Sequence, residues 1–194
     1  MSKNNLEALY PSSYLDAVNE LLASIGEAPV NTIGEGLSES RLAQLTLDRA
    51  SRNLQEKGWW FNTELLTISP NLRKELALPR NTLSIESMNG RYVYRDYKVY
   101  DREQSTFRFE SDVQLKVVLA LEWDFIPQTA RTYIVRKACQ MFQQQTVGSS
   151  QMNAELREEV HLAYVALQEE ELEAVPVNLY DNAELMAGAN MYRR

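Results

Sequence analysis

AVNELLASIGEAPVNTI, residues Ala17 to Ile33, spells out a helix, its stop and the turn that follows. Leu15, Val18, Leu22 and Ile25 recur at helical spacing and predict one apolar stripe, with Ser13, behind Pro11, placed to cap its start and Gly26 to end it. Pro29 has no amide N–H and blocks an early restart. Beyond the Gly-bearing loop NTIGEGL a second helix is predicted over Ser38 to Lys57, capped by Ser38 and stopped by Gly58. Ala43, Leu47, Ala50 and Leu54 form its stripe, with Leu42 and Leu45 beside it, a band wide enough for two helical neighbours.

After Gly58 the period changes from helical to alternating. Trp59, Trp60 and Phe61, then Leu65, Leu66 and Ile68, predict a strand up to Pro70, and Leu83, Ile85 and Met88 predict another that ends at the hairpin signal Asn89-Gly90. Tyr92, Val93, Tyr94, Tyr97, Val99, Tyr100, Phe107 and Phe109 read as a β-meander, followed by a longer strand over Val113 to Trp123. Helical spacing returns at Pro127, with Ala130, Ile134, Ala138, Met141 and Phe142 facing inward as far as Gly148. A fourth helix starts at Ser149 or Ser150 on the stripe Met152, Leu156, Val160, Ala163 and Leu167. Its end carries Glu169, Glu170, Glu171 and Glu173, against the helix macrodipole. The expected fold is α+β: a mainly α-helical bundle of four helices, an inserted small antiparallel β-sheet and an extended C-terminal tail. In numbers, 1–58 holds the first two helices, 59–125 the β-rich subdomain, 126–175 the last two helices and 176–194 the tail.

Apolar residues make up 44% and charged residues 24% of the 194, ordinary usage for a chain that folds throughout. Twenty Lys and Arg against 27 Asp and Glu leave a net charge of −7, which disfavours a protein that grips phosphate backbones tightly. No apolar run approaches a membrane span and Met1 to Tyr10 has no hydrophobic signal core, so a protein made in a cytoplasm, away from membranes, is expected. Cys139 is the single cysteine and His161 the single histidine. Cys139 sits among Ala138, Met141 and Phe142 as a small apolar residue does. His161 follows Glu158 and Glu159 beside a stripe, with no orienting third group for a Cys–His dyad. Glu122 and Asp124 are an unconvincing acid/base pair for a hydrolase. No metal or nucleotide motif occurs, Gly34 and Gly36 forming a lone G-x-G, and no catalytic residue, metal ligand or cofactor is assigned.

The first helix with its stop, together with NLQEKGWWFNTE (Asn53 to Glu64), GRYVYRDYKVYDREQSTFRF (Gly90 to Phe109) and IPQTARTYIVRKACQMFQQQ (Ile126 to Gln145), resembles the tail tubular protein A family in order and spacing. These proteins are the head-to-tail adaptors, or gatekeepers, of short-tailed bacteriophages. The likeness covers most of the chain and thins from about Val147. It implies a structural virion protein without enzymatic activity, assembled in the host cytoplasm into the tail. It further implies a ring, twelve-fold in the family, between the portal and the nozzle (tail tubular protein B), with tail fibres docked outside and double-stranded DNA passing through without specific binding. A compact chain of this length has a radius of gyration of roughly 16 Å, so surrounding a duplex takes repeated copies. Tyr94, Tyr97 and Tyr100 in the sheet, and Tyr180, Leu185, Met191 and Tyr192 in the tail, are the expected protein-interface residues, the last four facing the portal. The alternative is a nucleic-acid module using the interleaved Arg91 to Arg108 segment, in which Arg91, Arg95, Lys98, Arg102 and Arg108 alternate with aromatic rings.

Overall fold

The computed structural model describes residues 12–34, 38–87 and 90–174. Its first element, α1 (Tyr14–Ala23), opens on a reciprocal cap: the Asp16 amide donates to Ser13 Oγ at 3.1 Å and the Ser13 amide to the Asp16 carboxylate at 2.9 Å. The Ser13 hydroxyl also donates to that carboxylate at 2.7 Å, and this bond first, then the one from the Ser13 amide, holds the Asp16 carboxyl below its ordinary pKa. The helix ends as expected at Gly26, whose φ of +82° lets the Glu27 amide reach the Leu22 carbonyl and the Gly26 amide that of Ala23. Helix α2 (Ser38–Gln55) buries Ala43, Leu47, Ala50 and Leu54 as its period predicts, while Leu42 and Leu45 are exposed. Ser38 is itself the first helical residue, and the positions ahead of it lie outside the described residues. Helix α3 (Gln128–Thr146) follows Pro127, and α4 (Ser150–Ala174) follows Gly148. The first three helices pack against one another, and α4 leans on α3. Val18, Leu21, Leu47, Ile134, Phe142 and Leu167 fill the core between them.

The β elements are β1 (Thr63–Ile68), β2 (Thr82–Glu86), β3 (Tyr92–Arg95), β4 (Lys98–Asp101) and β5 (Val113–Leu119). They form two antiparallel sheets, β1-β5-β2 and the β3-β4 hairpin. A second core of Leu76, Leu78, Val99, Phe109, Leu115, Val117 and Leu119 lies between them. The expected strand through Trp59, Trp60 and Phe61 is a turn. Trp59 is drawn into the helical core, where its indole donates to the Leu54 carbonyl at 2.9 Å. The meander stops at β4 because the Asp101 carboxylate accepts the amides of Glu103 and Gln104, turning the chain, so that Phe107 and Phe109 follow on loop backbone. The last strand ends at Leu119, short of the expected Trp123, because the Leu121 amide goes to the Gln55 side chain at 2.6 Å instead of to a neighbouring strand. Trp123 then begins a short 3-10 turn, Trp123–Phe125.

Two buried amides join the halves. Asn62 accepts from the Trp59 amide at 2.8 Å and donates to the carbonyls of Gln55 at 2.9 Å and Leu119 at 2.8 Å. Gln55 in turn holds both polar backbone groups of Leu121, whose side chain touches both cores. Every hydrogen-bonding group of the Asn62 carboxamide is engaged away from water, the condition under which a buried amide adds rigidity. Arg131, 6% exposed, plays a similar part at the other end: its guanidinium donates to the carbonyls of Ile126, Ser12 and Asp124 at 2.7, 2.9 and 2.8 Å. Among the described residues no carboxylate pairs with it; backbone carbonyls and the Trp123 ring, 5.8 Å away, surround this buried cation.

Candidate functional site

Hairpin β3-β4 turns on Asp96 and Tyr97, at φ +48° and +56°. Two consecutive left-handed residues make the two-residue turn whose twist suits a hairpin, and such positions ordinarily go to Asn or Gly. A tyrosine there is strained, by roughly 1 kcal/mol, and is held in place: its carbonyl accepts the Leu78 amide at 2.9 Å, and its ring meets that of Tyr94 edge-on at 6.2 Å. Tyr97 is 52% exposed at the tip. Tyr94 faces the second core, and its hydroxyl pKa is raised by burial first and then by Tyr97 and Asp96. Tyr100 lies on the opposite face, its ring 4.1 Å from the Arg95 guanidinium and 4.8 Å from Phe107. Tyr94 and Tyr97 are therefore brought together, whereas Tyr100 belongs to a separate stack.

The cations of this segment are largely engaged within the chain. Arg91 donates to the buried Asp101 carboxylate at 2.9 and 2.5 Å, an attachment that, through this hydrogen bond first, holds the Asp101 carboxyl below its usual pKa. Lys98 pairs with Glu75 at 3.0 Å, and Arg95 stacks on Tyr100. Arg102 and Arg108 are exposed.

Helix α4 presents a second surface. Along its 25 residues only Leu167 is fully buried, while Leu162 and Leu172 are 62% and 70% exposed and Val165 lies beside them. These three recur at about 3.5-residue spacing on the side opposite Leu156, Val160, Ala163 and Leu167. That spacing, present in the sequence, is the signal for this face, and the stripe named first masks it. One flank of the same helix borders an open groove of about 490 Å³, where Arg157, His161 and Tyr164 face Tyr133 and Lys137 of α3 and Lys57 beyond α2. At the acidic end, Glu170 accepts a hydrogen bond from Thr129 in the first turn of α3, a turn with no acidic residue of its own. Part of the charge that looks misplaced on α4 thus serves the uncapped start of its neighbour.

The residues weighed for chemistry are kept apart. Cys139 is buried, and burial first, then the nearby Glu20, pushes its thiol up to about 12. His161 is exposed in the groove, in surroundings Cys139 does not share. Glu122 and Asp124 are exposed beside the 3-10 turn. Tyr180, Leu185, Met191 and Tyr192 lie outside the described residues. Among the described residues no helix is long and apolar enough to cross a membrane.

An exposed ring at a strained hairpin tip, a guanidinium stacked on tyrosine and an uncovered apolar helix face are the equipment of a protein that packs against other proteins. Its family is settled by comparison: the chain belongs to the tail tubular protein family, whose model matches residues 15–176. It is similar to the tail tubular protein A of Klebsiella phage KP34, 31% identical over 122 residues that cover 62% of this chain and 66% of the relative. The aligned part thus spans just under two thirds of that relative's length.

Proposed function

We propose that this chain is a structural virion protein of a phage tail, a ring-forming adaptor that joins the portal to the nozzle formed by tail tubular protein B. It offers tail fibres a docking surface and gives double-stranded DNA a passage that it does not bind specifically. The observation that carries the reading is the family match across residues 15–176. The uncovered face of α4 agrees with it, since an apolar helix face on a single copy calls for a partner. The charge of −7 suits a conduit, because a wall that held phosphates would retard the genome. In this reading the ring has twelve copies, is assembled in the host cytoplasm and performs no covalent chemistry. The helices of 1–58 and 126–175 line the channel and meet between copies. The β-rich 59–125 faces outward with Tyr94, Tyr97 and Tyr100 towards nozzle and fibre, and the tail 176–194 meets the portal through Tyr180, Leu185, Met191 and Tyr192.

Cryo-electron microscopy of the purified protein mixed with its portal tests this directly: a ring of copies capping the portal is expected, and portals that stay bare reject the reading. Removal of residues 177–194 should leave a folded protein that no longer attaches to portal-bearing particles. Attachment that survives the truncation would withdraw the tail from the portal contact while leaving the ring untouched.

A further inference from the structure

We infer that the basic groove beside α4 receives the outer face of α4 from a second copy of this chain, so that copies join head to tail through one charge-matched contact. This rests on the ring reading above and names the two surfaces that would close it.

The groove collects cations in a protein that is acidic overall. Lys57, Lys137 and Arg157 line it together with His161, and among the described residues none of the three forms an ion pair. Lys137 donates to Gln140 at 2.9 Å, Lys57 lies 5.5 Å over the Tyr164 ring, and neither meets a carboxylate among the described residues. The outer face of α4 has the opposite character. Its exposed Leu162, Val165 and Leu172 are flanked by Glu155, Glu158, Glu169 and Glu173, all exposed and none in an ion pair among the described residues. Glu159 and Glu170, which turn inward, are the acids of this helix that do find partners, Arg136 at 3.4 Å and Thr129. Unpaired glutamates around an apolar stripe thus match unpaired cations around tyrosine rings.

The two surfaces cannot meet within one molecule. Arg157, His161 and Tyr164 stand about a quarter of the way round the helix from Leu162, Val165 and Leu172, and a rigid rod does not fold onto its own flank. Two different patches that fit each other form a heterologous contact, the kind that propagates from copy to copy and closes into a ring. The leucines would supply the buried area and the charges the register, which is how charged rims act at interfaces.

Charge reversal provides the test. Lys57→Glu with Arg157→Glu alters exposed groove positions; Glu158→Lys with Glu169→Lys alters the stripe. Self-association is followed by sedimentation velocity over a concentration series, alone and with portal-bearing particles, with circular dichroism to check folding. Each reversed pair should weaken association about tenfold or more, and the chain carrying all four changes should recover most of it. Unchanged association of both pairs, or no recovery in the fourfold variant, overturns the inference while the ring reading stands. A wild-type protein that never associates, alone or on particles, overturns both. A groove pair that loses binding to a DNA duplex yet associates normally assigns the groove to phosphate and also overturns the inference. Cross-linking with a short bismaleimide gives a second readout that reversed charges do not disturb. Since Cys139 is buried, a His161→Cys copy mixed with a Glu169→Cys copy should yield a linked dimer in assembled rings, and rings without that dimer count against the contact.

Discussion

Gly58 shows how little room a single backbone position leaves. A Cβ there would stand 2.9 Å from Val118 Cγ2 and 3.3 Å from Thr63 Oγ1, and φ is +72°. Gly58→Ala therefore combines a left-handed alanine with a collision at the joint between α2 and β1, and should lower stability by roughly 2 kcal/mol in urea titration. Asp101 carries a pH dependence. Because Arg91 and two backbone amides hold its folded-state carboxyl below the unfolded value, the native state binds fewer protons through that range. The resulting stability is present in full above the ordinary carboxyl pKa of about 4 and fades as the pH falls through the lower folded value. Asp101→Asn should accordingly melt below wild type at neutral pH, and the gap should close in acid. A gap of constant size from neutral to acid would mean that the carboxylate's charge contributes nothing.

At the scale of elements, the turn of β3-β4 separates strain from contact. Tyr97→Gly relieves a left-handed backbone but forfeits the ring pairing with Tyr94, terms of similar size, so its melting temperature should stay near that of wild type. Tyr97→Ala keeps the strain, loses the ring and should be the less stable. Both should attach poorly to nozzle or fibre if the exposed ring is the contact, and normal attachment of the glycine variant would remove the tip from the interface. The helices were legible from the sequence because their apolar periods are long and their ends are marked by Ser13, Gly26 and Gly148. The strand boundaries were not. Trp59 to Phe61 reads as the opening of a strand yet turns, because the Trp59 indole finds a helix carbonyl, and Leu121 leaves its sheet for the side chain of Gln55. Both outcomes depend on partners distant in the chain, which local period does not register. Asp96-Tyr97 lacks the glycine that announces such a turn, so the hairpin's tip was hidden among aromatic residues. Of the tyrosines the sequence singles out as candidate contacts, Tyr94 and Tyr97 adjoin in space and Tyr100 stands in a separate stack, whereas the uncovered side of α4 was obscured by the more regular stripe opposite.

At the scale of the whole molecule, the described residues form two apolar cores joined through Leu121 and the amide pair Gln55 and Asn62. Asn62→Ala would strand the Gln55 and Leu119 carbonyls and the Trp59 amide in a place closed to water, a change worth about 2–4 kcal/mol. More telling is its effect on cooperativity: wild type should unfold in urea as one transition, and Asn62→Ala should broaden it or split it in two as the cores come apart. A shifted midpoint with an unchanged slope would mean that the cores remain coupled without the amide. The three tryptophans add a practical consequence. Trp59, Trp60 and Trp123 all pack in or against the helical core, and none lies at the core between the sheets, which Tyr92 and Tyr94 border. Indole fluorescence thus watches only one half of the protein, and in Asn62→Ala emission excited selectively in tryptophan would remain native-like while the hairpin and its sheet had already melted.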